Sequence, residues 1–292
     1  MSLLRMAALA AGLIVGLFGA TAQAAPAMWR VTNATSEIYL FGTLHALQPT
    51  DHWRTPAYDA AYAKAGTIWF EADLGAADAA TVGRIVSRYG VDPDRGLSEK
   101  LGRADLRTLR GEADVNRIEH LRPWAAALML SMQPVLARGA QVQAGADITV
   151  TRQARAGGKR IRTFETLEDQ ARMFASLPEP AEVQYLADVI RERHAPPQRI
   201  SFNPSASTLE REWLAGDLAR LGPGLASDLA HQNPSLYDVL LKRRNLAWAD
   251  RLTTEMARAN VELVNVGALH MVGPDGLPAL LAARGFKVER VQ

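Results

Sequence analysis

Glu37-Ile38-Tyr39-Leu40-Phe41-Gly42-Thr43-Leu44-His45 is a hydrophobic, strand-like run that stops at a glycine and delivers a histidine one tight turn later. Near the other end of the chain the same grammar returns: Val261–Val266, then Gly267-Ala268-Leu269-His270. A glycine at a strand end permits a sharp turn or a close backbone approach. A histidine just beyond it is well placed to bind a metal or to exchange protons. Between these runs, Thr55-Pro56 reads as an N-cap followed by proline at the first helical position, so Pro56–Ala65 is expected to be helical. Gly66 ends that helix, and Thr67-Ile68-Trp69-Phe70 is a second buried strand running into Glu71-Ala72-Asp73. The order strand, helix, strand predicts a parallel βαβ unit, whose ligands gather at the carboxyl ends of the strands. His45 and Glu71 should therefore share one edge of a sheet.

The remaining chain fits an α/β class, with α+β as the alternative: a central mixed sheet carrying a large helical insertion. Met28–Val31 and Glu37–Phe41 flank a turn at Asn33-Ala34-Thr35 and read as a hairpin. From about Ala77 to Ala156 the pattern is helical, with Pro123–Leu136 its most hydrophobic stretch and Gly145-Ala146-Asp147 an interruption. Gly157-Gly158 then breaks to a short strand, Lys159–Phe164, ending on Glu165. Helices are expected over Glu179–His194, Ser207–Leu221, Ser235–Ala259 and Gly276–Arg284, and strands over Val261–Val266 and Phe286–Val291. Two strand–carboxylate units (Phe70-Glu71, Phe164-Glu165) beside two strand–GxxH units suggest two pseudo-symmetric halves.

Composition narrows the function classes. Arg5, the uncharged apolar run Met6–Ala20 and the small-x-small pattern Ala22-Gln23-Ala24 read as a signal peptide over residues 1–24, cleaved after Ala24. Residues 25–292 would then be the mature domain, periplasmic or secreted, without a later membrane span. With no cysteine there is no lipobox, disulfide, thiolate ligand or cysteine nucleophile. Any metal must use His, Asp or Glu, which suits zinc, manganese or cobalt. The 33 basic and 31 acidic residues nearly balance, and no basic run is interleaved with aromatics, so nucleic-acid binding is a poor expectation. Neither a G-x-S-x-G elbow, an H-E-x-x-H pair nor a phosphate-binding glycine loop is present.

His45 and His270 lead the candidate site residues. Glu71 follows the buried run Ile68-Trp69-Phe70, so its carboxylate must be metal-bound, paired with arginine or protonated. Asp73, two residues on, could assist from the same side of an extended chain. Arg244 falls on the apolar stripe of its helix with Tyr237, Leu241, Trp248 and Leu252, where a guanidinium needs an anion, whereas neighbouring Arg243 reads as solvated. Glu165 ends a strand as Glu71 does, and Asp147 reads as a possible helix cap or an additional site residue. His52, His120, His194 and His231 read as surface residues.

Taken in order, Leu40–His45, Phe70–Asp73, Arg122-Pro123-Trp124, Gly145–Asp147, Phe164–Gln170, Leu236–Leu252 with Arg244-Asn245, and Val264–Gly276 resemble the TraB/GumN family (TraB/PrgY, TIKI-like). The resemblance covers nearly all of the mature sequence. It implies an α/β fold with a metal-dependent hydrolase site built from His45, His270, Glu71 and Arg244. Eukaryotic members look like metalloproteases using manganese or cobalt, which makes a peptide or protein the expected substrate. In that reading the histidines and Glu71 hold the ion, Glu71 is otherwise the general base, and Arg244 steadies oxyanion charge. The alternative is a non-catalytic binding protein that holds a peptide signal, haem or metal in the same pocket.

Overall fold

The computed structural model describes residues 25–292 except 74, 76–77, 113, 194–205 and 219–223. The expected signal segment and His194 lie outside the described residues. Six strands form one mixed sheet: β1 (Met28–Thr32), β2 (Glu37–Thr43), β3 (Thr67–Phe70), β4 (Arg160–Thr163), β5 (Val261–Gly267) and β6 (Lys287–Arg290). Their spatial order is β4-β3-β5-β2-β1-β6. The four strands β4, β3, β5 and β2 are mutually parallel, and the β1–β2 hairpin and β6 extend the sheet antiparallel to β1. The expected α/β fold is thus present, as is the predicted βαβ unit. Its helix is Pro56–Lys64, capped by the Thr55 side chain with proline opening the first turn.

Strands β2, β3 and β5 read as largely apolar runs because both of their faces are covered, whereas the edge strand β4 is only partly buried. On one face Phe41, Tyr58, Ile68, Phe70, Val150 and Leu263 pack together. On the other, Leu40, Trp69, Trp248, Leu252, Val264 and Leu277 do so. Each fully buried aliphatic or phenyl side chain here contributes about 1.5–3 kcal/mol. Helices inserted after β3 and after β4 build a third cluster around Leu97, Leu130, Leu186 and Ile190. The helical insertion is therefore two segments that meet away from the sheet. The suspected halves do not form separate lobes, since their strands interleave as β4-β3-β5-β2.

In the parallel register Thr43 lies opposite Gly267 on β5, while Phe70 lies opposite Asn265 on β5 and Thr163 on β4. The four parallel strands thus end within two residues of one another in register. His45, Glu71, Glu165 and His270, each following a different strand, converge on that one edge.

Candidate active site

The leading glycines do what a GxxH turn requires. A Cβ on Gly42 would lie 2.9 Å from the Ala268 Cα, so the first motif packs directly on the backbone of the second. A Cβ on Gly267 would come within 3.0 Å of the Glu71 Oε1, which instead accepts the Gly267 N–H at 2.7 Å. The Gly42 carbonyl is pinned by the Trp213 indole N–H at 2.7 Å. Beyond it, the Leu44 carbonyl accepts from the Ala146 N–H at 3.0 Å, and Leu47 pairs with Gln141. The His45 turn is thereby clamped against the start of helix Ala146–Ala156.

That clamp gives Asp147 its role. It makes no capping hydrogen bond, and Gly145 occupies the N-cap. Its Oδ2 instead meets His45 Nδ1 at 2.7 Å. Burial lowers the His45 pKa, but the hydrogen bond and charge of Asp147, helped by Glu71, outweigh it and raise the pKa to about 9. The ring stands deep among protein atoms yet leaves 55% of its side-chain surface open, and that open surface governs access by ligand. Gly145 allows this approach, because a Cβ there would sit 2.3 Å from the His45 carbonyl oxygen. Gly145→Ala is expected to push the helix off the turn at a cost of about 1–3 kcal/mol. Urea denaturation reads that cost, and a fall in the His45 pKa by NMR reads the lengthened Asp147 contact.

The second histidine sits in a different environment. The Asn245 Nδ2 group donates to the Asp275 carbonyl at 2.7 Å, which turns Asn245 Oδ1 toward His270 Nδ1 at 2.6 Å. His270 Nδ1 is then the protonated nitrogen, and Nε2 accepts from Arg244 NH1 at 3.1 Å. Burial, opposed by Glu71 and reinforced by Arg244, lowers the His270 pKa to about 3, so the ring is neutral. Trp248 supports both partners, its ring centroid 4.5 Å from that of His270 and 4.6 Å from the Arg244 guanidinium carbon.

Arg244 has five N–H donors, and all are committed. Nε and NH2 hold Glu165 at 2.9 Å each, NH2 also holds Glu71 at 2.6 Å, and NH1 serves the Leu240 carbonyl and His270. A π-helical turn, Asp238–Lys242, ends just ahead of Arg243, and beyond it the Arg244 side chain is largely enclosed and Asn245 is buried. Arg243 is exposed, as expected, and pairs with Asp238. Burial pushes the Glu71 carboxyl up, but Arg244, both histidines and the Gly267 N–H hold it well below the usual carboxylate range. Gln170, at the start of helix Leu167–Ala175, donates to the Glu71 Oε2 at 3.2 Å.

The cleft in front of these groups is about 190 Å³, lined by Thr43, His45, Glu71, Asp147, Gln170 and Asn265 among others. His270, Arg244 and Glu165 stand behind Glu71 and hold it in place rather than facing the cavity. Asp73 does not assist Glu71: the strand ends at Phe70, side-chain alternation lapses there, and Asp73 pairs with Arg155. Of the remaining histidines, His52, His120 and His231 are exposed. Sequence reasoning missed Gln170, Asn245 and Asn265. Their only signal was a polar residue inside an apolar run (Asn265) or beside a candidate (Asn245 after Arg244).

A model of the TraB/PrgY/gumN family matches residues 27–290. The chain belongs to the TraB/PrgY/gumN family. It is also similar to the uncharacterized protein YbaP of Escherichia coli (strain K12) and of Shigella flexneri, at 29% identity over 161 residues in each case. Those alignments cover 54% of this chain and 55% of each relative, so they span about half the length of the curated relatives. No solved structure matches. Among the described residues no helix is long and apolar enough to cross a membrane.

Proposed function

We propose that the cleft is the catalytic centre of an exported hydrolase acting on peptide bonds, with His45 as the group that activates water. The observation that carries this reading is the His45–Asp147 pair: the carboxylate fixes Nδ1 at 2.7 Å, and Nε2 faces the cleft without a hydrogen bond among the described residues. A carboxylate behind one ring nitrogen sets the tautomer and raises the basicity of the other. Nε2 takes a proton as the water oxygen bonds to the substrate carbonyl carbon. The C–N bond then breaks, and the same proton passes to the departing amine. The resemblance to metalloprotease-like relatives supplies the choice of peptide bonds.

A manganese, cobalt or zinc ion is the cofactor that the family resemblance implies. The residues as placed do not fit a three-ligand ion site. His45 offers Nε2 and Glu71 its carboxylate, but His270 has Nε2 on Arg244 and Nδ1 on Asn245. Among the described residues no group of three His, Asp or Glu side chains is arranged to hold an ion. No step here is therefore routed through a metal. Glu71 and Glu165 are held by the Arg244 guanidinium, and Asp147 pairs with His45.

Peptide-library cleavage by the 25–292 chain between pH 6 and 10, with chelator and with added manganese, tests the reading. A histidine whose pKa is raised to about 9 is protonated below it and cannot accept a proton there. Cleavage should therefore persist in chelator and climb about tenfold per pH unit toward that value. Loss in chelator with recovery in manganese would support the ion-dependent form of the same site. Binding of peptide, haem or metal with no cleavage under any condition would replace the hydrolase by the binding protein.

A further inference from the structure

Thr43 Oγ1, Asn265 Nδ2 and Asp147 Oδ1 are buried polar atoms with no hydrogen-bond partner among the described residues. All three residues line the 190 Å³ cleft, and they are 2%, 1% and 7% exposed, respectively. A buried polar atom left unpaired costs about 1–3 kcal/mol, and native proteins leave few of them. The other such atoms with settled surroundings, Arg30 Nε, Trp124 Nε1 and Asn260 Oδ1, are scattered over separate elements. Three around one cavity instead describe a binding surface whose partner is supplied from outside the chain.

The chemistry of that partner follows from the orientation of each group. The Tyr58 hydroxyl lies 2.8 Å from Asn265 Oδ1, and burial keeps the phenol protonated, so it donates and Oδ1 accepts. The opposite amide orientation would strand both the phenol proton and the carbonyl oxygen. Nδ2 is thus the free group, and it is a donor. The register Phe41 to Asn265 across β2 and β5 places Thr43, two residues on from Phe41, on the same face, where its hydroxyl is a second donor. Asp147 gives Oδ2 to His45, which leaves Oδ1 as a pure acceptor. The cluster reads donor, donor, acceptor.

We propose that Thr43, Asn265 and Asp147 form an amide-recognition subsite. The two donors take a carbonyl oxygen, and Asp147 Oδ1 takes the N–H of the same or the adjoining peptide unit. An ester or a carboxylate offers an oxygen to the donors but no N–H for Asp147 Oδ1. The ligand class is therefore the neutral secondary amide. The link to peptide cleavage rests on the hydrolase reading of the cleft, but amide binding does not require turnover.

The test is titration of the 25–292 chain with N-methylacetamide and with methyl acetate, followed through backbone NMR resonances. The amide should shift signals from residues around the cleft and bind at least about tenfold more tightly than the ester, as expected where a buried acceptor would otherwise go unpaired. Thr43→Val should weaken amide binding about tenfold without lowering Tm, because the hydroxyl has no partner within the protein. Asn265→Ala in a Tyr58→Phe background, which leaves no phenol unpaired, should weaken it similarly. Equal binding of amide and ester, or amide binding undiminished in Thr43→Val, would mean that the three atoms hold buried water only and would overturn the subsite. Amide binding as expected with no peptide cleavage leaves the subsite standing and removes the hydrolase. Cleavage with KM unchanged in Thr43→Val does the reverse.

Discussion

Replacing His45 with alanine is expected to lower peptide hydrolysis by about 10²–10⁴-fold, the usual contribution of a positioned proton-transfer group, with little change in the fold. The ring leaves more than half of its side-chain surface open, and its one hydrogen bond among the described residues runs to Asp147. Removing it empties no core, so Tm should move by only a few degrees. Asp147→Asn provides the companion measurement. Without the carboxylate the His45 pKa should fall back toward its ordinary value of 6.5, and the alkaline rise in activity should move to lower pH with a reduced plateau. The sign for stability follows from the raised pKa. The His45–Asp147 pair stabilises the folded chain fully below the ordinary value of 6.5, and that contribution is lost as pH rises through about 9. Wild-type and His45→Ala stabilities should therefore converge in alkaline buffer. Cleavage by His45→Ala at the wild-type rate would remove the histidine from the chemistry altogether.

Arg244→Met should instead cost about 3–5 kcal/mol of stability, because it leaves two buried carboxylates without their cation. Roughly 10 °C in Tm corresponds to such a loss in a chain of this size. Glu71 keeps the Gly267 and Gln170 donors and Glu165 keeps Trp248 Nε1, but neither has another guanidinium in contact. The deficit should shrink in acid, where both carboxylates protonate in the variant. It should also shrink when Glu71→Gln and Glu165→Gln are added, since a neutral cluster no longer needs the charge. Urea denaturation at neutral and acidic pH reads both effects. A loss below about 1 kcal/mol at neutral pH would show that the cluster is solvated rather than buried. In this arrangement Arg244 is a positioning residue. With every donor engaged, it has none to offer a substrate oxyanion, and it acts by fixing Glu71 at the cleft wall and keeping His270 neutral.

The reading of Asp73 and Asp147 shows where pattern reasoning stops. Asp73 was placed beside Glu71 by strand alternation, yet alternation holds only while the backbone stays extended, and the strand ends before Glu71. Asp147, following a glycine at a helix start, reads from the sequence as a helix cap or as an additional site residue. Its actual partner lies more than a hundred positions away and reaches it only because helix Ala146–Ala156 is docked on the β2 turn. The π-helical turn ahead of Arg244 and the asparagine network behind His270 likewise left no periodic trace. They are single polar residues whose meaning depends on what packs against them.

The βαβ unit and the strand runs at Glu37–Phe41, Thr67–Phe70 and Val261–Val266 were legible in the sequence alone, because an apolar run closed by glycine or a carboxylate is a local pattern. The sequence also placed His45 and Glu71 on one edge, since parallel strands put like ends together, and the register brought Glu165 and His270 to the same edge. Only the tertiary structure decided that the two matching histidines are unlike. His45 is charged by Asp147 and open to the cleft, whereas His270 is buried, neutral and bound to Arg244 and Asn245. The physical reason is that a histidine's protonation is set by the groups packed around it, and in both cases those groups arrive from distant helices.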